Sequence, residues 1–270
     1  MPTLKVNGAE LFYDDRGSGP ETVVFAHGLL FDGRMFDAQV AALADRFRCL
    51  RFDFRGQGRS AVTPDGYDMD TLAEDAAALI EALGAAPCHF VGLSMGGFVG
   101  LRLASRRPEL LRSLAVLDSS ADPEPAENLP RYRLLNTIAR WLGLRVVAGR
   151  VMPIVFGRSF LRDPARREVR ELWRERIVSR DRRGITRAVR GVIYRRGVQD
   201  ELPGIRVPTL ILVGEEDLAT PRERSEWMRA AIPGAELVVV PRAGHSAPIE
   251  NPEAVTAALA ELLARHPVRP

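Results

Sequence analysis

A chain of 270 residues, 46% hydrophobic and 27% charged, has the composition of an ordinary folded protein; it excludes a disordered, collagen-like or coiled-coil chain. The formal net charge of +3 hides an asymmetry: residues 131–200 hold 19 Arg against 6 Asp plus Glu, a local net of +13 that leaves about −10 elsewhere. Only two cysteines are present, Cys49 and Cys88, too few for a disulfide framework or a zinc site.

The first fifteen residues show no basic stretch followed by an apolar one, so no signal peptide is expected. No apolar run approaches the length that spans a bilayer, so no membrane partner is expected either, and the default is a cytoplasmic protein.

The alternation in LKVNGAELFYDD (4–15), broken at Asn7-Gly8, predicts a β-hairpin with a type I′ turn. TVVFAHG (22–28) is a short, β-branched apolar run of the kind buried in parallel sheets. Helical spacing follows over 35–47, then a strand over 49–54 ending in RGQGRS. Met69 to Leu83 reads as a helix capped by Asp68 or Asp70 and closed by Gly84. HFVGLSMGG (89–97) is a strand and a tight turn, Phe98 to Ser105 a helix, and SLAVLDSS (113–120) a strand.

The rhythm then changes. DPEPAENLP (122–130) reads as a linker, and 131–200 shows helical periodicity alone. Strand and helix alternate again from 208: a strand over 208–217, a helix from Arg222 to Ile232, a strand over 235–245 and a final helix from Asn251-Pro252 to about Arg265. Such alternation means an α/β architecture with a mainly parallel sheet and helices on both faces, interrupted by a helical insertion over 121–204. In such sheets ligands sit beyond the carboxyl ends of the strands, so chemistry is sought just after each strand.

Gly92-Leu93-Ser94-Met95-Gly96 matches G-x-S-x-G between a strand and a helix. A strand that turns at once into a helix strains its corner residue and exposes the side chain there. Ser94 is therefore the candidate nucleophile. A serine hydroxyl needs a base; of the four histidines, His245 follows a strand and fits, whereas His27 and His89 are better read as structural and His266 lies in the tail. The base needs an acid to fix its tautomer. Asp217, closing the strand before, suits this role, with Asp118 as competitor. The order Ser94, Asp217, His245 is one of the known orders of such a triad. Two backbone N–H groups should hold an oxyanion, those of Leu29 and Met95.

These motifs resemble the α/β-hydrolase superfamily, in the branch of esterases, 3-oxoadipate enol-lactonases and cofactor-free haloperoxidases. The resemblance is carried by VVFAHGLL (23–30), DFRGQGRS (53–60), GLSMGG (92–97), LVGEEDLATP (212–221) and AGHSAPIENPEAV (243–255). It implies an eight-stranded, mainly parallel sheet with a helical cap inserted after the sixth strand. The core is then 1–120 and 205–270, and the cap 121–204. It also implies a serine hydrolase of carboxylic esters or lactones, a carboxylesterase-like enzyme working through an acyl-enzyme. Haloalkane dehalogenases and epoxide hydrolases of this fold carry Asp at the nucleophile position, and Ser94 argues against both. No metal-ligand motif or dinucleotide fingerprint is present, so neither metal nor cofactor is expected.

Leu29, Leu30, Met95 and Leu218 suggest an apolar acyl pocket, to which the insertion would add Trp141, Phe156, Phe160 and Trp173. A neutral short-chain or aryl ester is the default substrate, although the arginines would also steer a carboxylate-bearing lactone. The alternatives are a carbon–carbon bond hydrolase of ring-cleavage products, a perhydrolase, and, in another class, a ligand-binding receptor with slow turnover. No nucleic-acid motif accompanies the arginines, so no nucleic-acid partner is expected. A monomer or homodimer is expected.

Overall fold

In the computed structural model, which describes residues 2–267, eight strands form one sheet. They are β1 (Thr3–Val6), β2 (Ala9–Arg16), β3 (Thr22–Ala26), β4 (Arg48–Phe52), β5 (Cys88–Leu93), β6 (Leu111–Leu117), β7 (Thr209–Gly214) and β8 (Glu236–Val240). Their spatial order is β1-β2-β4-β3-β5-β6-β7-β8. Only β2 runs against the rest, being antiparallel to both neighbours; the register from β4 to β8 is parallel throughout. The reversal is set by the hairpin turn, where Asn7 (φ 44°) and Gly8 (φ 75°) take the two left-handed positions that a type I′ turn requires.

β3, β5 and β7 are buried at every position, which is why they read as continuous apolar runs. Their two faces feed two cores. One packs against α2 (Met69–Ala82), α3 (Met95–Arg106) and Met228 of α9 (Arg222–Ala231). The other packs against α1 (Asp37–Leu43), α10 (Pro252–Arg265) and the helices inserted between β6 and β7. A buried ion pair, Arg55 to Asp75 with two bonds of 2.7 Å, ties the loop after β4 to α2. Both cysteines are buried free thiols, and burial pushes each up to about 12, so neither is a reactive thiolate.

The element boundaries shift by a few residues from the sequence reading. The helix expected over 35–47 opens with a tight 3₁₀ turn, Gly33–Phe36, because the Asp32 carboxylate accepts from Arg34 N and starts the coil early. The linker expected over 122–130 ends early as well. A helix begins at Leu129, with Pro130 in its first turn, where a missing N–H costs nothing. The insertion is helical: α4 (Leu129–Leu142), α5 (Leu144–Val155), α6 (Arg158–Arg162), α7 (Arg167–Val178) and α8 (Arg182–Ile193).

Candidate active site

Ser94 sits at the corner between β5 and α3 with φ 51° and ψ −110°, a strained conformation for a residue with a side chain. The corner is held from three sides: Ser94 N donates to Leu117 O, Phe98 N and Ser119 Oγ donate to Ser94 O. It closes only because glycines flank it. A Cβ on Gly92 would stand 2.2 Å from Gly96 O, and one on Gly96 would stand 2.1 Å from Ala26 O.

The three candidate side chains, drawn from the ends of β5, β7 and β8, meet in one hydrogen-bonded chain. Ser94 Oγ lies 2.9 Å from His245 Nε2, and His245 Nδ1 lies 2.9 Å from Asp217 Oδ2. An ionised carboxylate can only accept, so Nδ1 carries the proton and Nε2 is left to accept from the serine hydroxyl. Asp217 is itself fixed by Ala219 N, Thr220 N and Thr220 Oγ1, at 2.8, 3.1 and 2.7 Å. Burial works against a charged His245, but the charge and hydrogen bond of Asp217, helped by Asp118 and Glu250, outweigh it and hold the imidazole above its ordinary value.

Asp118 lies elsewhere. Its carboxylate accepts from Gly214 N at 2.7 Å and Ala247 N at 3.3 Å, tying the ends of β6 and β7 to the helix after His245. Burial, reinforced by the charge of Asp217, raises it well above the carboxylate range. Asp217, not Asp118, contacts the histidine.

The loop after β3 carries Leu29 and Leu30. His27 donates from Nδ1 to Gly28 O and accepts Phe54 N at Nε2, so it braces this loop as a neutral ring; burial lowers its basicity. Leu30 takes φ 76°, and Gln57 Oε1 accepts its N–H at 2.9 Å. Gln57 Nε2 reaches Met95 Sδ, joining the two loops beside the serine. Among the described residues, the N–H groups of Leu29 and Met95 have no protein acceptor.

A cavity of about 140 Å³ opens over Ser94 and His245. Its floor is Gly28, Leu29, Leu30 and Phe31; its walls are apolar side chains of α4, α5 and α8, including Leu135, Val147, Val151 and Val189. At one end Arg195 donates to Glu124 at 2.9 Å, a buried pair with no net charge.

Most of the expected pocket is therefore corrected. Leu30 lines the cavity. Trp141 and Leu218 do not: they are 71% and 77% exposed. Helix α4 turns Tyr132, Leu135 and Ala139 inward, which carries Trp141 to the outside. The turn that caps Asp217 with residues 219 and 220 swings Leu218 outward. Phe156, Phe160 and Trp173 are buried, but they form an aromatic cluster with Phe31 rather than a wall: Phe156 stacks on Phe160 at 4.9 Å, and Trp173 lies 5.3 Å from Phe31. The Met95 side chain is likewise buried away from the cavity.

Sequence reasoning missed Thr220 and Glu250; for the loop of residues 55–60, which the resemblance implies lies near the site, it missed the bonds that Gln57 makes. Glu250 is buried, accepting Gly157 N and Gly244 N at one oxygen and Ser246 N at the other, so it binds the loop of His245 to the start of α6. The signal available for Thr220 was its place three residues after Asp217, the spacing of a local side-chain turn.

The chain matches a family model described as the alpha/beta hydrolase family over residues 23–258. A thermophilic esterase from Thermogutta terrifontis is 35% identical, with 98% of this chain and 97% of that one covered and a TM-score of 0.90. The enol-lactonase of Burkholderia xenovorans LB400 is 31% identical, with 97% and 100% covered and the same TM-score of 0.90. RutD of Stutzerimonas stutzeri (strain A1501), for which carbamate hydrolysis is suggested, is 26% identical over 247 residues, 90% of this chain and 91% of that protein. Match, strand order and serine corner agree: the chain belongs to the alpha/beta hydrolase family.

Proposed function

We propose that the chain hydrolyses carboxylic esters or lactones through an acyl-enzyme on Ser94. The observation that carries this reading is the unbroken hydrogen-bonded chain from Ser94 through His245 to Asp217 beneath an apolar cavity. His245 Nε2 takes the hydroxyl proton as Ser94 Oγ attacks the carbonyl carbon. The imidazolium, stabilised by Asp217, then returns that proton to the leaving alkoxide. Water repeats the sequence: His245 takes its proton as the water oxygen attacks the acyl carbon, the bond to Ser94 Oγ breaks, the imidazolium returns the proton to Ser94 Oγ, and the acid leaves. The unpartnered N–H groups of Leu29 and Met95 receive the oxyanion, each contributing about 3 kcal/mol to lowering the barrier.

The cavity favours a neutral, short-chain or aryl substrate. An apolar cavity of about 150 Å³ accepts a benzene-sized ligand, and this one is comparable at about 140 Å³. The arginine that lines it is already neutralised by Glu124, which argues against a second carboxylate on the substrate. Similarity to the esterase and the enol-lactonase exceeds that to RutD, so an ester carbonyl is preferred over a carbamate one.

The test is hydrolysis of p-nitrophenyl acetate, butyrate and octanoate, and of the matching carbamate, by wild type and Ser94→Ala. Turnover of the short esters should fall by about 10⁶-fold in the variant, the cost of removing the serine from such a unit. Wild-type rates in Ser94→Ala would exclude the acyl-enzyme; a carbamate turned over faster than any ester would move the substrate class.

A further inference from the structure

The outer face of the insertion joins two properties that surfaces of soluble proteins rarely combine. Four of the nine large apolar side chains exposed among the described residues fall within 134–146: Leu134 (61%), Trp141 (71%), Leu142 (67%) and Val146 (60%). Gly143, at φ 93°, turns the chain between α4 and α5 and leaves Trp141 and Leu142 at the apex of that corner. The same region holds the local net charge of +13.

The arginines beside this apex are arranged on one side. Arg133 and Arg140 each precede one of the exposed apolar residues on α4, and with Arg187 and Arg190 of α8 they line a cleft of about 750 Å³. None of the four forms an ion pair among the described residues. Asp65 and Asp68 stand on the same cleft, but Asp68 is engaged in capping α2. A cationic cleft next to a Trp-Leu wedge is the pattern of a protein that lies on an anionic bilayer. There the wedge enters the headgroup–acyl boundary and the guanidinium groups bind phosphates.

We propose that the α4–α5 corner docks on an anionic lipid surface, with Trp141 and Leu142 inserted and the α4 and α8 arginines on lipid phosphates. Charge complementarity selects this occupant over a second copy of the chain, because a two-fold contact would set one cationic face against another. The separation of charge, positive on the insertion and negative elsewhere, orients the molecule with this face toward the membrane. The inner faces of the same two helices wall the cavity, through Leu135 and Ala139 of α4 and Val147 and Val151 of α5, so docking would bring the site to a lipid-soluble substrate. The docking itself does not rest on the ester reading.

The experiment is co-sedimentation of the full chain with phosphatidylcholine vesicles, with and without about 30% phosphatidylglycerol, at low and high salt. Binding should be at least about tenfold tighter to the anionic vesicles and weaken with salt. W141S/L142S should lower that affinity by about tenfold, and R133Q/R140Q should lower it and flatten the salt dependence, while both turn over a water-soluble short ester as wild type does. Equal sedimentation with neutral and anionic vesicles, no sedimentation with either, or wild-type binding by W141S/L142S would overturn the proposal. So would displacement by inorganic phosphate at matched ionic strength, or a wild-type dimer that W141S/L142S dissolves.

Discussion

His245 is touched by one carboxylate and faced by two more, and the three act differently. Asp217 bonds Nδ1 and fixes the tautomer that leaves Nε2 free for Ser94. Asp217→Asn should therefore lower kcat by about 10⁴-fold with little change in stability, since the amide presents a donor to Nδ1 and favours the wrong tautomer. Asp118→Asn should do the reverse. Its amide nitrogen would face a backbone N–H, at a cost of about 1–3 kcal/mol in thermal unfolding, while kcat of the folded enzyme stays within a few-fold of wild type. Equal loss of kcat in the two variants would mean that the acid assignment is wrong. The pH dependence follows from the same charges. The proposed mechanism needs neutral His245, whose proton is held above the usual range, so kcat/KM should fall with decreasing pH through a midpoint above about 6.5. That Ser94, Asp217 and His245 would meet was legible because each follows a strand. Gln57 was not, since its role depends on which backbone N–H a loop brings to it.

At the scale of elements, the serine corner works only if α3 and β3 approach within backbone contact. Gly96 permits that approach. Gly96→Ala would place a methyl group against Ala26 O, at the end of the strand that leads directly into the Leu29 loop. Either β3 or α3 must move. The expected result is a loss of about 1–3 kcal/mol in stability, together with a fall in kcat larger than any rise in KM. Full activity with only lowered stability would separate the Leu29 loop from the chemistry. The same elements show what sequence can and cannot convey. Asn7-Gly8 encodes its turn locally, and the buried strands encode theirs in apolar runs, so hairpin and parallel sheet were readable. Helical periodicity over 131–200 shows which residues share a face, but not whether that face meets the cavity, the aromatic cluster or water. Trp141, Phe156, Phe160 and Trp173 were assigned to the wrong one of these for that reason.

Across the whole molecule, the insertion is fastened to the sheet by carboxylates of the surrounding chain. Asp32, in the loop after β3, pairs with Arg180 beyond α7; Glu216, beside Asp217, accepts Ser159 N and the Ser159 hydroxyl; Glu250 accepts Gly157 N. Of these, Glu250 is held at greatest cost to its charge. Burial pushes it up to about 7, against the pull of its three backbone N–H donors and of His245. A carboxyl with a folded value above its unfolded one, near 4.5, contributes stability that is present below 4.5 and is lost as pH rises through about 7. Glu250→Gln removes that dependence. It also leaves one of three N–H groups without an acceptor, a cost of about 1–3 kcal/mol that does not vary with pH. The two effects therefore separate. The variant should be least stable relative to wild type near pH 4.5 and recover roughly 3 kcal/mol by pH 8, measured by denaturant unfolding across that range. Because Glu250 also helps hold the proton on His245, the acid limb of kcat/KM should move to lower pH in the same variant. A stability difference that is flat with pH, together with an unmoved acid limb, would show that Glu250 fastens the insertion without sensing the charge of the site.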